Sequence, residues 1–232
     1  MKEWKILMLL FLIWTVYYLI QRLFYYHRRE KFLAERGISI KHLPLSFFIG
    51  GNMKQIWRDI LRDDYENWDI HQLQEEYTTY KHNHPLPYKD LIFADTFEVI
   101  KKLYDNGYRL GLASSSTKHD ILKALDDTKM REYFSVILSG EEFPKGKPHP
   151  AIYQEAARQL RTNQDNILVI EDSEKGIQAG ISADLHVWAI EDKLFGMNQS
   201  KANRLVDNLT QIFEALVESS GKLAIIASFP LF

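Results

Sequence analysis

The chain has 232 residues, 46% of them hydrophobic and 26% charged, which is typical of a globular protein with one large core, or a core and a smaller inserted domain. Its formal net charge of -2 provides no basic surface, so neither nucleic acid nor an anionic membrane surface is expected as a partner. The absence of cysteine excludes disulfides, thiolate metal sites and a cysteine nucleophile, and favours a cytoplasmic protein.

The first element is an uncharged apolar run, Ile6–Ile20, with the sequence ILMLLFLIWTVYYLI. A membrane-spanning helix needs about 20 apolar residues, so the run is short for an anchor. It also lacks a small-residue cleavage site of the secretory type. The alternative is a buried strand followed by the start of a buried helix, and periodicity cannot separate the two interpretations for an apolar run.

Residues 23–88 contain helical segments and no strand signal. Tyr25–Arg36 is rich in straight-chain helix formers, and Gly37 follows it as a C-terminal stop. Asn52 can cap a second helix, and Trp68–Lys81 is a third helical segment, which ends at the turn-rich sequence HNHPLP. The sequence therefore predicts a small helical unit in this part of the chain.

Helices and strands alternate after this unit, which predicts right-handed crossovers and a parallel sheet covered on both faces. The predicted fold class is α/β, a Rossmann-like doubly wound sheet whose ligands bind at the carboxyl ends of the strands. The apolar tail KLAIIASFPLF, after Gly221, suggests no function. The predicted strands are 108–113, 134–138, 167–170 and 185–190, and the predicted helices are 96–106, 118–125, 151–160 and 175–182.

Polar clusters lie where these strands end or where a helix begins. Ser114–Ser116 follows the first predicted strand, and its hydroxyl and amide groups gather at a helix N-terminus suited to phosphate. Lys147 lies in KGKPHP, on a loop that enters a helix and is stiffened by Pro148 and Pro150, and Glu171 and Asp172 follow the strand ILVI. Taken singly, these are also a plain helix cap, an exposed loop lysine and a second cap. Together they can bind a phosphoryl oxygen, neutralise its charge and hold Mg2+.

The segments ASSS, GKPHP and IEDSEKGIQAG resemble the second, third and fourth motifs of the haloacid dehalogenase superfamily, specifically its β-phosphoglucomutase-like phosphatases. The resemblance extends from Tyr25 to about Leu216. It implies an α/β core formed by residues 1–22 and 89–232, with residues 23–88 inserted as a helical cap domain after the first motif.

The same resemblance implies a role for each matching residue. Ser114 would bind phosphate through its hydroxyl, and Ser115 through its backbone. Lys147 would stabilise the phosphoryl group. Glu171 and Asp172 would hold Mg2+ directly or through water. The implied activity is an Mg2+-dependent phosphatase or phosphomutase that acts on a small phosphorylated metabolite, such as a sugar phosphate, through an aspartyl-phosphate.

The helical unit is expected to select the substrate. Asn52 and Lys54 follow the turn at Gly50 and Gly51, and are candidates to face the phosphate or the sugar. The alternative for Lys54 is a solvated position on a helix surface. We expect a monomeric, cytoplasmic protein, with no nucleic acid or membrane partner unless residues 6–20 form an anchor.

The family's first motif, a strand ending in Asp-x-Asp-Gly-Thr/Val, is missing from the chain. Counting back from Gly37 puts its two aspartates at about Ile13 and Thr15. Isoleucine has no lone pair with which to attack phosphorus, and threonine cannot replace a carboxylate as a proton shuttle. The chain as written is therefore expected to be inactive, either as a phosphate-binding pseudoenzyme or because its sequence is altered here.

A frame error can explain the missing motif. Leu12–Arg22, LIWTVYYLIQR, can be encoded by codons that, out of phase, read DMDGVLFDTE, which is the complete first motif. We hypothesise that two compensating frame errors, in the gene or its reported sequence, overwrite the nucleophile loop. Ile6 to about Leu12 would then be the central strand of the sheet. A membrane anchor at Ile6–Ile20 would remove that strand.

Overall fold

The computed structural model describes residues 9–10, 17–49, 53–85, 87, 96–193, 195–218 and 224–227. Within these residues the strands form one parallel sheet, and helices lie between most of them along the chain. Ile167–Glu171 is buried along its whole length, as expected of a parallel strand covered on both faces. The predicted doubly wound α/β fold is thereby confirmed.

The sheet has the order β1-β2-β7-β4-β5-β6, and β3 also pairs with β2. All of these pairings are parallel. The four strands predicted from the sequence are present, and their ends agree within a residue. The strands are β1 (Leu9–Leu10), β2 (Arg109–Ser114), β3 (Phe134–Ser139), β4 (Ile167–Glu171), β5 (His186–Ile190), β6 (Arg204–Val206) and β7 (Ala224–Ala227).

The strand that pairs with both β2 and β4 comes from the C-terminal tail. Ile225 of β7 is in register with Leu110 of β2 and with Leu168 of β4. The prediction that Ile6 to about Leu12 is the central strand stays a prediction, because residues 6–8 and 11–12 lie outside the described residues. Of that run, Leu9–Leu10 pairs with the beginning of β2. A position paired on both sides favours an uncharged, β-branched segment, and the tail sequence AIIA meets this requirement.

The first helix begins earlier than the sequence indicates. It starts at Tyr17, inside the apolar run, so the predicted domain boundary between residues 22 and 23 falls within this helix. Gly37 follows it with φ of +74°, a conformation that glycine adopts without strain. The helices of this part of the chain are α1 (Tyr17–Ala34), α2 (Met53–Leu61) and α3 (Ile70–Asn83).

Helices α1, α2 and α3 enclose a hydrophobic cluster of their own. Phe32, Trp57 and Tyr77 are almost fully buried in it, whereas Tyr25 of α1 packs into the core of the sheet. Helix α1 thus contributes to both clusters. The remaining helices are α4 (Thr96–Asp105), α5 (Lys118–Asp127), α6 (Ala151–Leu160), α7 (Glu174–Ser182) and α8 (Leu209–Glu218).

The apolar run Ile6–Ile20 is not one continuous element in the structure. Leu9–Leu10 is a strand and Tyr17 begins α1, while residues 6–8 and 11–16 lie outside the described residues. Among the helices described, none combines the length and the hydropathy that crossing a bilayer requires.

Candidate active site

The candidate site lies at the carboxyl ends of β2 and β4. The serine loop, Ser114–Ser116, leaves β2 and leads into α5. The hydroxyl oxygen of Ser114 accepts a hydrogen bond from the Ser116 backbone N–H at 3.1 Å, which tightens the loop. A Cβ atom added to Gly140 would lie 3.0 Å from the Ser115 Cα. Glycine at this position therefore lets the chain after β3 pack directly against the serine loop.

Ser116 is a candidate ligand-binding member of the loop because its hydroxyl is buried and unsatisfied within the described part of the chain. Its backbone oxygen accepts a hydrogen bond from the Ser139 hydroxyl at 2.5 Å, which fixes the residue. Its own Oγ is buried and, among the described residues, has no hydrogen-bond partner. A buried hydroxyl without a partner is costly, and a phosphate oxygen is an acceptor that would satisfy it.

Lys147 connects the ends of the two strands. Its Nζ donates to Glu171 Oε1 at 2.7 Å, to Tyr153 Oη at 2.9 Å and to the backbone oxygen of Ala113 at 3.3 Å. Ala113 immediately precedes Ser114, so the ammonium group lies beside the serine loop. Burial lowers the pKa of Lys147, and the Glu171 carboxylate opposes this effect. The lysine is therefore held inside the protein and is not an exposed loop residue.

The Glu171 carboxylate is occupied by protein donors on both oxygens. Oε1 accepts from Lys147 and from the Tyr153 hydroxyl, the latter at 2.5 Å. Oε2 accepts from the backbone N–H groups of Asp172 and Ser173 and from the Ser173 hydroxyl. Burial raises the pKa of Glu171, but Lys147 and these hydrogen bonds outweigh burial and lower it overall. In this arrangement Glu171 anchors Lys147, and the metal role inferred for it remains a prediction.

Asp172 is a candidate ligand for a cation in this site. Its side chain is buried, and burial together with the nearby Asp192 carboxylate raises its pKa well above the usual value. A divalent cation would relieve this repulsion and stabilise the charged form. Gln199 fixes the adjacent backbone, since its Nε2 donates to the oxygens of Asp172 and Ile190, each at 2.7 Å. The residues present thus fit an Mg2+ ion bound through Asp172.

Several residues of the site were not identified from the sequence. Asp192 lies two residues after the end of β5, so the rule that ligands bind at the carboxyl ends of the strands could have found it. Tyr153 and Gln199 carry no such signal, because a tyrosine on a helix and a glutamine in a loop are common in any α/β protein. Lys175 of α7 lies 5.7 Å from the ring of Phe47, which brings a half-buried cation up to the helical unit.

Other predicted site residues cannot be placed. The nucleophile positions Ile13 and Thr15 lie outside the described residues, as does Asn52. Lys54 belongs to α2, but its side chain is outside the described part of the chain. Of the predicted set, the structure brings Ser114, Lys147 and the pair Glu171 and Asp172 to one edge of the sheet.

Comparisons with known proteins find a family whose model matches most of the chain. The profile of a family described as "Haloacid dehalogenase-like hydrolase" matches residues 23–190. A bifunctional riboflavin kinase/FMN phosphatase from Arabidopsis thaliana is 39% identical over 93 residues, which are 40% of this chain and 24% of that protein. A pyrophosphatase PpaX from Bacillus mycoides is 21% identical over 166 residues, or 69% of this chain and 77% of the relative.

A similar fold is found among solved structures. The structure of a β-phosphoglucomutase from Clostridium difficile superposes with a TM-score of 0.72 at 23% sequence identity, covering 85% of this chain and 89% of that one. At this identity the likeness shows the fold alone. Among the relatives compared by sequence, the chain spans about a quarter of the Arabidopsis protein and about three quarters of the Bacillus protein.

Proposed function

The chain belongs to the haloacid dehalogenase-like hydrolase family, and from this membership we propose that its intact form is an Mg2+-dependent phosphatase or phosphomutase. The proposed substrate is a small phosphorylated metabolite such as a sugar phosphate. The observation that supports this most directly is the position of Lys147, buried between the serine loop and the carboxyl end of β4. A cation and hydroxyl donors there suit the negative oxygens of a phosphoryl group in transfer, and a buried carboxyl there can hold Mg2+.

Each residue of the site would have its own role in binding and transferring the phosphoryl group. Ser114 and Ser116 donate their hydroxyls to the phosphoryl oxygens, and Ser115 its backbone N–H. Lys147 exchanges its bond to Glu171 for one to the phosphoryl group and neutralises charge that develops during transfer. Asp172 would hold Mg2+, which supplies Lewis-acid polarisation of a phosphoryl oxygen when bound.

A second candidate function rests on the nucleophile positions. Ile13 and Thr15 provide no carboxylate, so the chain as written is expected to bind phosphate without turnover. Membrane anchoring through residues 6–20 remains a third hypothesis, which membrane fractionation tests.

The first measurement is the intact mass of the purified protein, which shows whether the written residues are present. The second compares hydrolysis of an aryl phosphate, with and without Mg2+, by the written chain and by a repaired chain that carries DMDGVLFDTE in place of the out-of-phase segment. We expect Mg2+-dependent turnover from the repaired chain and none from the written one. Replacing Lys147 in the repaired chain by alanine should abolish turnover, whereas Lys201→Ala, on the surface, should not.

The outcomes separate the hypotheses. Turnover by a protein whose mass verifies Ile13 and Thr15 would contradict the predicted inactivity of the written chain. A folded repaired chain without turnover on any substrate would overturn the proposed enzyme. The panel should include sugar phosphates, FMN and pyrophosphate, since these follow from the names of the similar proteins.

A further inference from the structure

A group of side chains of the types that bind metals lies where the helical unit meets the sheet domain. His82 is near the end of α3, and His119 and Asp120 are in the first turn of α5. One potential ligand atom from each of the three lies within 4.8 Å of the others. The rings of His82 and His119 have centroids 4.6 Å apart, and both histidines are exposed. The group is thus preassembled from two separate parts of the chain and is open to solvent.

Asp120 is the fixed member of this group. It is buried, and its Oδ2 accepts a hydrogen bond from Lys81 Nζ at 2.9 Å, in an ion pair that also joins α3 to α5. A carboxylate offers about four lone-pair sites on its two oxygens, so it can bind a metal while it keeps Lys81. An outer partner of this kind orients a ligating carboxylate in many metal sites.

We propose that His82, His119 and Asp120 bind one zinc-class transition-metal ion. Two imidazoles and a carboxylate are a common zinc donor set, and a water molecule would complete the tetrahedron. Mg2+ prefers oxygen ligands alone, so this site differs in chemistry from the one at Asp172. Ligand atoms around tetrahedral zinc are about 3.3 Å apart, given bonds of about 2.0 Å. The exposed imidazoles can turn inward to make this small contraction.

The position of the site would let a bound metal ion link helices α3 and α5. Helix α5 follows the serine loop directly, and α3 is the last helix of the helical unit. An ion bound by both helices would add a link between the helical unit and the phosphate-binding edge, beside the ion pair of Lys81 with Asp120. Because the folded chain assembles the ligands and the unfolded chain does not, the ion should also stabilise the protein against heat.

The test is a zinc titration of the full chain, purified without a polyhistidine tag, against a chromogenic chelator. We expect one zinc ion per chain, and at least a tenfold loss of affinity in His82→Ala and in His119→Ala. His186→Ala is the matched control, since His186 is exposed on β5, and should bind zinc like the parent. Zinc should raise the melting temperature of the parent and of the control, but not of the two variants.

Two further arms keep the result unambiguous. Asp172→Asn should retain the zinc affinity, which separates this site from the candidate active site and makes the test independent of the proposed function. Millimolar Mg2+ should leave zinc bound. Equal zinc affinity in all the histidine variants, or a loss confined to Asp172→Asn, would overturn the proposal. Because His82 and His119 are exposed, both variants should fold, which circular dichroism without metal verifies.

Discussion

Lys147 and Glu171 form a buried ion pair, and the lysine of this pair is also proposed to contact the phosphoryl group. Their side-chain exposures are 2% and 0%, so neither charge is solvated by bulk water. A buried pair is retained because each charge compensates the other, and its net contribution to stability is small. The lysine that is proposed to meet a phosphoryl group is therefore held in place, before any ligand binds, by the carboxylate behind it.

Removing one partner of this pair should be costly. Lys147→Met leaves the Glu171 carboxylate buried without its compensating charge, and we expect a loss of about 3–5 kcal/mol in the free energy of unfolding. Urea denaturation followed by fluorescence measures this free energy of unfolding. The control is Lys201→Met, on an exposed lysine, which should change stability by less than about 0.5 kcal/mol.

A double variant separates charge from packing. In Lys147→Met/Glu171→Gln the buried side chain is neutral, but it can still accept hydrogen bonds from the backbone of Asp172 and Ser173. We expect it to be more stable than Lys147→Met alone, although it carries an additional substitution. If the double variant is destabilised by the sum of the losses measured for Lys147→Met and Glu171→Gln alone, the charge explanation is wrong.

At the scale of an element, the first turn of helix α7 packs directly against the Glu171 side chain, which restricts the residue that can stand at position 176. A Cβ atom at Gly176, in the first turn of α7, would lie 1.8 Å from Glu171 Oε1. The Ser173 hydroxyl caps the same turn by accepting from the Gly176 N–H at 3.0 Å. The glycine in the motif IEDSEKGIQAG therefore makes room for the carboxylate that holds Lys147.

Gly176→Ala should consequently reverse the usual effect of this substitution. Alanine in a helix interior is ordinarily favoured over glycine by about 0.5–1 kcal/mol. Here the added methyl must displace Glu171 and disturb its bonds, so we expect a net destabilisation of about 1–3 kcal/mol. Urea denaturation compares it with Gln178→Ala, on the outer side of the same helix. Equal or higher stability for Gly176→Ala would show that Glu171 can move away without cost.

The elements differ in how much of them the sequence could predict. Strands β2 to β5 are apolar runs bounded by turns, and their order along the chain with intervening helices determines a parallel sheet. The start of α1 at Tyr17 was hidden, because an apolar run carries no periodicity that marks where a strand ends and a helix begins. Tyr153 was missed because its role depends on a contact with Glu171, which no local pattern encodes.

At the scale of the whole molecule, the sequence indicated where polar groups gather but not which segment fills the middle of the sheet. Two apolar segments, Ile6–Leu12 and the tail that contains Ala224–Ala227, suit a strand buried on both faces. Composition cannot choose between them, since each supplies an uncharged apolar run. The structure places the tail there, between β2 and β4.

This arrangement makes β7 the connection between two halves of the sheet. In the strand order described, β2 lies on one side of it, with β3 paired to β2, and β4, β5 and β6 lie on the other. The serine loop belongs to one half, whereas Glu171 and Asp172 belong to the other. Pairing through β7 therefore sets the distance between the hydroxyl groups and the carboxylates of the candidate site.

A proline in the middle of β7 should disrupt both halves together. In Ile226→Pro the missing N–H removes a ladder bond whichever neighbour accepts it, because Ile226 is in register with Gly111 of β2 and with Val169 of β4. A buried carbonyl left without a donor costs about 1–3 kcal/mol, before any strain from the ring. We expect a lower urea midpoint and faster hydrogen exchange of amides in both β2 and β4.

The matched control is Arg204→Pro, since Arg204 is the exposed first residue of β6, the strand at the end of the order. Proline is tolerated at the first residue of a strand and at sheet edges, so this variant should keep its urea midpoint and its exchange rates in β2. If both variants unfold at the same urea concentration, β7 does not connect the two halves. The N-terminal run would then be the better candidate for the central strand, as its position before the helical unit, where the family's first motif is expected, implies.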